Sequence, residues 1–156
     1  MFLRTETFPA KTLVGLHLNM SIAHNKTFEL WNSFMPRRAE INNIIGSEMY
    51  SMQVYKPHHN MANLQATFEK WAAVEVGDTI KVPEGMEMIT IPTGKYAVFL
   101  HKRPASAGYK TFQYIFGSWL PNSGYQLDDR PHFEILGEKY RNNDPNSEEE
   151  IFIPIR

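Results

Sequence analysis

The sequence predicts an α+β domain made of two strand-helix-strand-strand modules. They are related by pseudo-twofold symmetry and share an antiparallel sheet, with two helices flanking a central ligand groove. Three observations predict it. Slid against itself, the 156-residue chain matches at an offset of 84, where Lys11-Thr12-Leu13-Val14-Gly15-Leu16-His17 lies on Lys95-Tyr96-Ala97-Val98-Phe99-Leu100-His101. Ala23, Lys26, Thr27 and Phe28 then fall on Ala107, Lys110, Thr111 and Phe112, so that eight of eighteen aligned positions are identical. Each copy opens on a run of Val, Leu, Phe and Tyr entered through a Pro-containing turn, and each continues into aromatic residues at helical spacing. A single domain over residues 1–156 follows, with one copy at about 1–80 and the other at about 85–156.

In the first copy the turn Phe8-Pro9-Ala10-Lys11 leads into a strand, and Phe28, Trp31, Phe34 and Met35 mark an aromatic helix face. Pro36 marks its end or a kink. Strands at 49–55 and 67–76 follow, separated by a linker at 56–65 rich in Asn, His and Pro. In the second copy Ile91-Pro92-Thr93-Gly94 leads into the strand, and Tyr109, Phe112, Phe116, Trp119 and Leu120 lie on one helix face. Pro121 stops that helix and Asn122-Ser123-Gly124 supplies left-handed conformations. Strands at 131–140 and 149–155 flank a polar linker at 141–147.

Composition excludes several functions. Sixteen Lys and Arg against seventeen Asp and Glu give a net charge of -1, with no basic excess to neutralise nucleic-acid phosphates, so direct DNA binding is not expected. No apolar run approaches the roughly 20 residues that span a bilayer. Without Cys there is no disulfide, thiol nucleophile or thiolate metal site. The N-terminus lacks a basic start followed by an apolar core, which predicts a cytoplasmic chain. No phosphate loop, dinucleotide fingerprint or nucleophile elbow appears, so neither a cofactor nor conventional enzyme chemistry is expected. The adjacent pair His58-His59 has no further donors at ligand spacing, and no metal site is assigned.

The second copy contains IPTGKYAVFLH, TFQYIFGSWLPNSGYQLDDRPHFEILGEKY and EEEIFIPI. With Gly94, Tyr96, Phe99, Trp119, Leu120, Pro121, Ser123, Gly124, Tyr125, Pro131, Phe133, Glu134, Ile153, Pro154 and Ile155 in their expected places, it resembles the GyrI-like, or AraC-type effector-binding, domain. The first copy adds FEKWAAVEV, similar to a family strand in which Gly is commoner than Ala73. The resemblance covers nearly the whole chain, and one departure is Lys102-Arg103 after His101, where the family often has Gly. It implies paired modules around a ligand groove. It also implies one of three roles: a sensor domain of transcription activators, a multidrug-binding domain, or a stand-alone protein such as a DNA gyrase inhibitor. The two copies fill the 156 residues, so a stand-alone module is expected, with gyrase or a separately encoded regulator as its protein partner.

By that resemblance Glu134 is the electrostatic anchor at the floor of an aromatic pocket. A carboxylate among apolar groups lacks a counter-charge, so an entering aromatic cation supplies one. Aromatic faces add about 0.5–2 kcal/mol of cation-π attraction. The competing reading is a surface carboxylate on an alternating strand. Trp31, Trp71, Trp119, Tyr50, Tyr96, Phe99 and Leu136 are candidates for the pocket walls, against the plain alternative that they are core. Two other functions are carried: a hydrolase of reactive hydrophobic compounds with Glu134 as general base, and a gyrase-binding protein, for which Asp128, Asp129 and Glu148 to Glu150 are a sparse DNA mimic.

Overall fold

A computed structural model describes residues 1–78, 81–101, 108–137 and 148–156. The Lys102-Arg103 departure and the 141–147 linker lie outside them. Eight strands form one antiparallel sheet: β1 (Phe2–Phe8), β2 (Lys11–Met20), β3 (Met49–Val54), β4 (Phe68–Glu75), β5 (Glu87–Ile91), β6 (Gly94–His101), β7 (His132–Leu136) and β8 (Glu149–Pro154). Their spatial order is β1-β6-β8-β7-β3-β4-β2-β5. Among the described residues no helix is long and apolar enough to cross a membrane.

Two of these strands, β1 and β5, go beyond the three per copy that the sequence predicts. FLRTETF in β1 is too polar to read as a strand, because as an edge strand it is exposed along most of its length. Its place is informative: β1 pairs with β6, and β5 pairs with β2, so each half lends its first strand to the other.

The connections force the sheet to roll. In a flat sheet β1 and β2 would stand six interstrand steps apart, about 29 Å at the usual spacing. Only Pro9 and Ala10 join them, a reach of about 11 Å. The same holds for Pro92 and Thr93 between β5 and β6, and the two turns meet where the Ala10 amide donates to Thr93 Oγ1 at 2.9 Å. Rolling buries the concave face without a helix, around Phe8, Leu13, Tyr50, Met52, Trp71, Ile91, Tyr96, Phe133 and Phe152.

The other face carries the helices. Helix α1 (Thr27–Phe34) starts after an Asn25 side chain that accepts from the Thr27 amide at 2.9 Å. It lays Leu30 and Phe34 on Val14, Ala72 and Val74 of β2 and β4. The α-helix ends at Phe34, just ahead of Pro36 as expected, and the chain continues in a 3-10 stretch, Met35–Glu40. Helix α2 (Gly108–Tyr114) passes through a π turn at Ile115–Trp119 into α3 (Leu120–Ser123). Ile115, with Phe112, Phe116 and Trp119, covers Ala97, Phe99, Ile151 and Ile153 of β6 and β8. Pro121 therefore does not stop the helix. It lies in the first turn of α3, where a missing N–H is tolerated, and the end falls at Gly124 with φ of 81°. Met86 lies just ahead of β5 and is buried, while Met88 within β5 is exposed.

The pairing register departs from the sequence offset. Phe8 faces Gly94 and Ile91 faces Lys11, so β1, β2 and β3 correspond to β5, β6 and β7 by a shift of 83, not 84. Ser51 and Glu134, also 83 apart, face each other across β3 and β7. Ser51 faces Ala72 on β4, and Glu134 faces Ile151 on β8, so those strands correspond by 79. A one-residue slip changes every side chain's face. The identities Val14/Val98 and His17/His101 thus join residues on opposite faces of the sheet.

Candidate functional site

The two helices cover β2/β4 and β6/β8, leaving β3 and β7 beneath the space between them. Strand β7 alternates, sending Phe133 to the concave core and His132, Glu134 and Leu136 to the helix side. Opposite Glu134 stands Ser51, with Gln53 two residues along β3 and Lys70 opposite Gln53 on β4. The floor between the helices is thus a row of polar side chains crossing three strands.

All of them are buried, Glu134, Lys70 and Gln53 at 6% exposure each. Gln53 Nε2 donates to Glu134 Oε2 at 3.2 Å, and Lys70 Nζ lies 4.0 Å from the same oxygen. On β8, one strand beyond Glu134, the Glu149 carboxyl is pushed up to about 8, chiefly by burial and then by the Glu134 charge, with Lys70 opposing. His101 faces Glu149 from β6 and meets Thr111 Oγ1 of α2 at 2.7 Å.

At the other end of the row the floor becomes aromatic. The Tyr55 ring sits 4.7 Å from His132, edge to face, and 5.0 Å from Phe68, while Phe116 of the π turn lies 6.0 Å from His132 on the α2 side. Burial pushes His132 down to about 3, helped by His59 and Arg130, so its imidazole is neutral at ordinary pH. Burial and then the Glu134 charge raise the Tyr55 phenol. A cavity of about 170 Å³ lined by Asn19, Val54, Tyr55 and Phe68 opens beside this aromatic end. A wider one of about 430 Å³ opens at the opposite strand ends, bordered by Glu48, Leu100, Gly137 and Glu149.

The predicted site residues divide by face. Glu134 and Leu136 share the groove floor. Phe99, Trp119 and Trp31 are on the helix side: Trp119 packs edge-on to Phe99 at 4.9 Å and stacks on Phe2 at 5.0 Å, toward the β1 edge, and Trp31 packs edge-on to Phe34 at 5.8 Å. Trp71, Tyr50 and Tyr96 belong to the concave core on the opposite face and share no space with Glu134. Strand alternation puts them there: Trp71 follows Lys70, Tyr50 precedes Ser51, and Tyr96 pairs with Pro154. Burial raises the Tyr96 phenol to about 12, and its hydroxyl donates to the Pro131 carbonyl at 3.2 Å.

Lys70, Gln53, Tyr55 and His132 were not singled out from the sequence, and Glu149 was read there only as part of an acidic run. Lys70 carried a signal, a lysine two residues before Ala72 and four before Val74 on one face of an apolar strand. Its meaning needs the neighbouring strands.

Comparison with known proteins decides the family. The model of the "GyrI-like small molecule binding domain" matches residues 1–156. The chain belongs to the GyrI-like family. A transcriptional regulator, BrlR of Pseudomonas aeruginosa, is 32% identical to this GyrI-like domain over 149 residues, 94% of the chain and 53% of the regulator. The chain therefore spans about half the length of that relative. Among solved structures, the C-terminal domain of EcmrR superposes with a TM-score of 0.73 at 13% identity, covering 100% of this chain and 98% of that one. SAV2435 bound to tetraphenylphosphonium superposes with a TM-score of 0.65 at 15% identity, covering 100% and 94%. Both share the GyrI-like fold.

Proposed function

We propose that this domain takes hydrophobic aromatic small molecules, lipophilic cations among them, into the groove between α1 and α2, with Glu134 as the electrostatic anchor. The single observation that carries the reading is Glu134 itself, a carboxylate at 6% exposure on the floor between the helices, with His132 two residues along the same face of β7 and the rings of Tyr55 and Phe116 packed on that imidazole. A buried carboxylate favours a cation that brings its own apolar surface, since water is not there to stabilise the charge. Leu136 adds an apolar group on the other side of Glu134 along β7. The tetraphenylphosphonium complex of SAV2435 supports the ligand class, and the regulator relative supports a sensor role. The role proposed is that of a cytoplasmic sensor or sequestering module that holds such compounds on its own.

The test is a thermal-shift and calorimetric titration of wild type and Glu134→Gln with tetraphenylphosphonium, with mass analysis of the recovered compound. Saturation at 100 times Kd raises stability by about 2.7 kcal/mol, and that shift disappears in the variant. Equal binding by both proteins overturns the anchor. A converted hydrophobic ester or epoxide, with conversion lost in Glu134→Gln, replaces binding with hydrolysis. If no compound binds while DNA supercoiling by gyrase is inhibited, the protein-partner reading takes over.

We also propose that the domain is a duplication whose halves are related by a pseudo-twofold axis between Ser51 and Glu134. The support is that the strand pairings of one half map on those of the other with shifts of 83 and 79.

A further inference from the structure

The Lys70 and Glu134 side chains are both less than a tenth exposed and face the same side of the sheet from β4 and β7. They are not locked together. The carboxylate takes its hydrogen bond from Gln53 at 3.2 Å, whereas the ammonium stands at 4.0 Å, beyond hydrogen-bond reach but well inside the range of Coulomb attraction.

We propose that Lys70 is a resident counter-ion for Glu134, which holds down the groove's affinity for lipophilic cations and so sets the charge type of ligand the domain accepts. The inference rests on the groove being the ligand site, as proposed above. Its physics is that of a dipole. A cation approaching Glu134 feels the carboxylate's attraction and also the repulsion of an ammonium 4.0 Å from that carboxylate, and the burial of both groups leaves little water to screen either. The pair therefore presents a dipole in place of a net negative charge. Glu149, the residue corresponding to Lys70 in the other half, does not restore that charge at neutral pH, because burial keeps its carboxyl protonated. Neutral aromatic ligands lose nothing in this arrangement. Monocations lose most of what an unpaired carboxylate would offer.

The test uses tetraphenylphosphonium and tetraphenylborate, ions of nearly the same shape and opposite charge, titrated into the full chain. Lys70→Met is expected to tighten tetraphenylphosphonium at least tenfold and to weaken tetraphenylborate, while Lys70→Arg, which keeps the charge, stays within about twofold of wild type. If Glu134→Gln loses tetraphenylphosphonium but Lys70→Met leaves the ratio of the two affinities unchanged, the counter-ion role is overturned and the groove reading stands. If neither ion binds wild type or any variant, both fall together. Should Lys70→Met fail to fold, the double variant Glu134→Gln/Lys70→Met is compared with Glu134→Gln. Tighter cation binding by the double variant shows that Lys70 faces the ligand, and equal binding overturns it.

Discussion

The two halves of the sheet place different chemistry at corresponding positions. Where the N-terminal half has Ser51, Gln53 and Lys70, the C-terminal half has Glu134, Leu136 and Glu149, each pair related by the same strand register. Met49 likewise corresponds to His132. On the duplication proposed above, one backbone arrangement serves twice, and side chains alone make the groove lopsided: a cation and an amide on one side, two carboxyl groups on the other. The backbone hydrogen bonds of a sheet do not depend on which side chains stand on it, so register is retained while charge diverges. The packing beneath the helices diverges too. Leu16, half-buried under α1, corresponds to Phe99, fully buried under Trp119.

That packing contrast gives the largest expected effect. Phe99→Ala leaves a cavity under Trp119 and should cost about 4 kcal/mol, against about 2 kcal/mol for Leu16→Ala, measured as shifts in urea midpoint at constant slope. Equal losses would mean that the halves bear the helices alike.

The charge contrast comes next. Removing one member of the buried pair, by Lys70→Met or Glu134→Gln, strands the other and should cost about 3 kcal/mol, whereas the double variant should recover most of the loss. Chemical denaturation of the four proteins checks it; additive losses would show that the two groups do not interact across their 4.0 Å.

Acid and base act on two groups of the C-terminal half, His132 and Glu149. The His132 imidazole, held down to about 3, contributes stability that is complete above its ordinary value near 6.5 and is lost as pH falls toward 3. Glu149, pushed up to about 8, contributes stability that is complete below its ordinary value of 4.5 and is lost as pH rises toward 8. Between pH 4.5 and 6.5 the two slopes oppose each other. Each amounts to at most about 1.4 kcal/mol per pH unit, so His132→Gln should flatten the acid limb of a stability profile and Glu149→Gln the limb from 6.5 to 8. A profile unmoved by either variant removes these groups as its cause.

The smallest effect belongs to the lent strand β1. Arg4 reaches Glu150 at 3.2 Å but is exposed, and Arg4→Ala should change stability by no more than about 0.5 kcal/mol in thermal melts.

Much of this was legible in the chain. The strands at 49–55 and 67–76, the aromatic faces around Phe34 and Phe116, and the strand that carries Glu134 follow from period-2 and helical spacing with the family's motifs. The Pro121 stop did not follow, because a π turn placed ahead of it gave the proline a first-turn position. The offset of 84 misled by one residue, since identity counts do not register which face a side chain takes.

By itself the sequence determined the α+β class, the place of most strands and helices along the chain and the family, because those rest on contacts between residues near in the chain or on motifs read whole. Only the tertiary structure decided that β1 and β5 cross to opposite halves, that Trp71, Tyr50 and Tyr96 lie away from Glu134, and that Lys70 and Gln53 stand beside it. Those outcomes depend on which strands become neighbours, and β4 meets β3, and β3 meets β7, across sequence separations that no local pattern encodes.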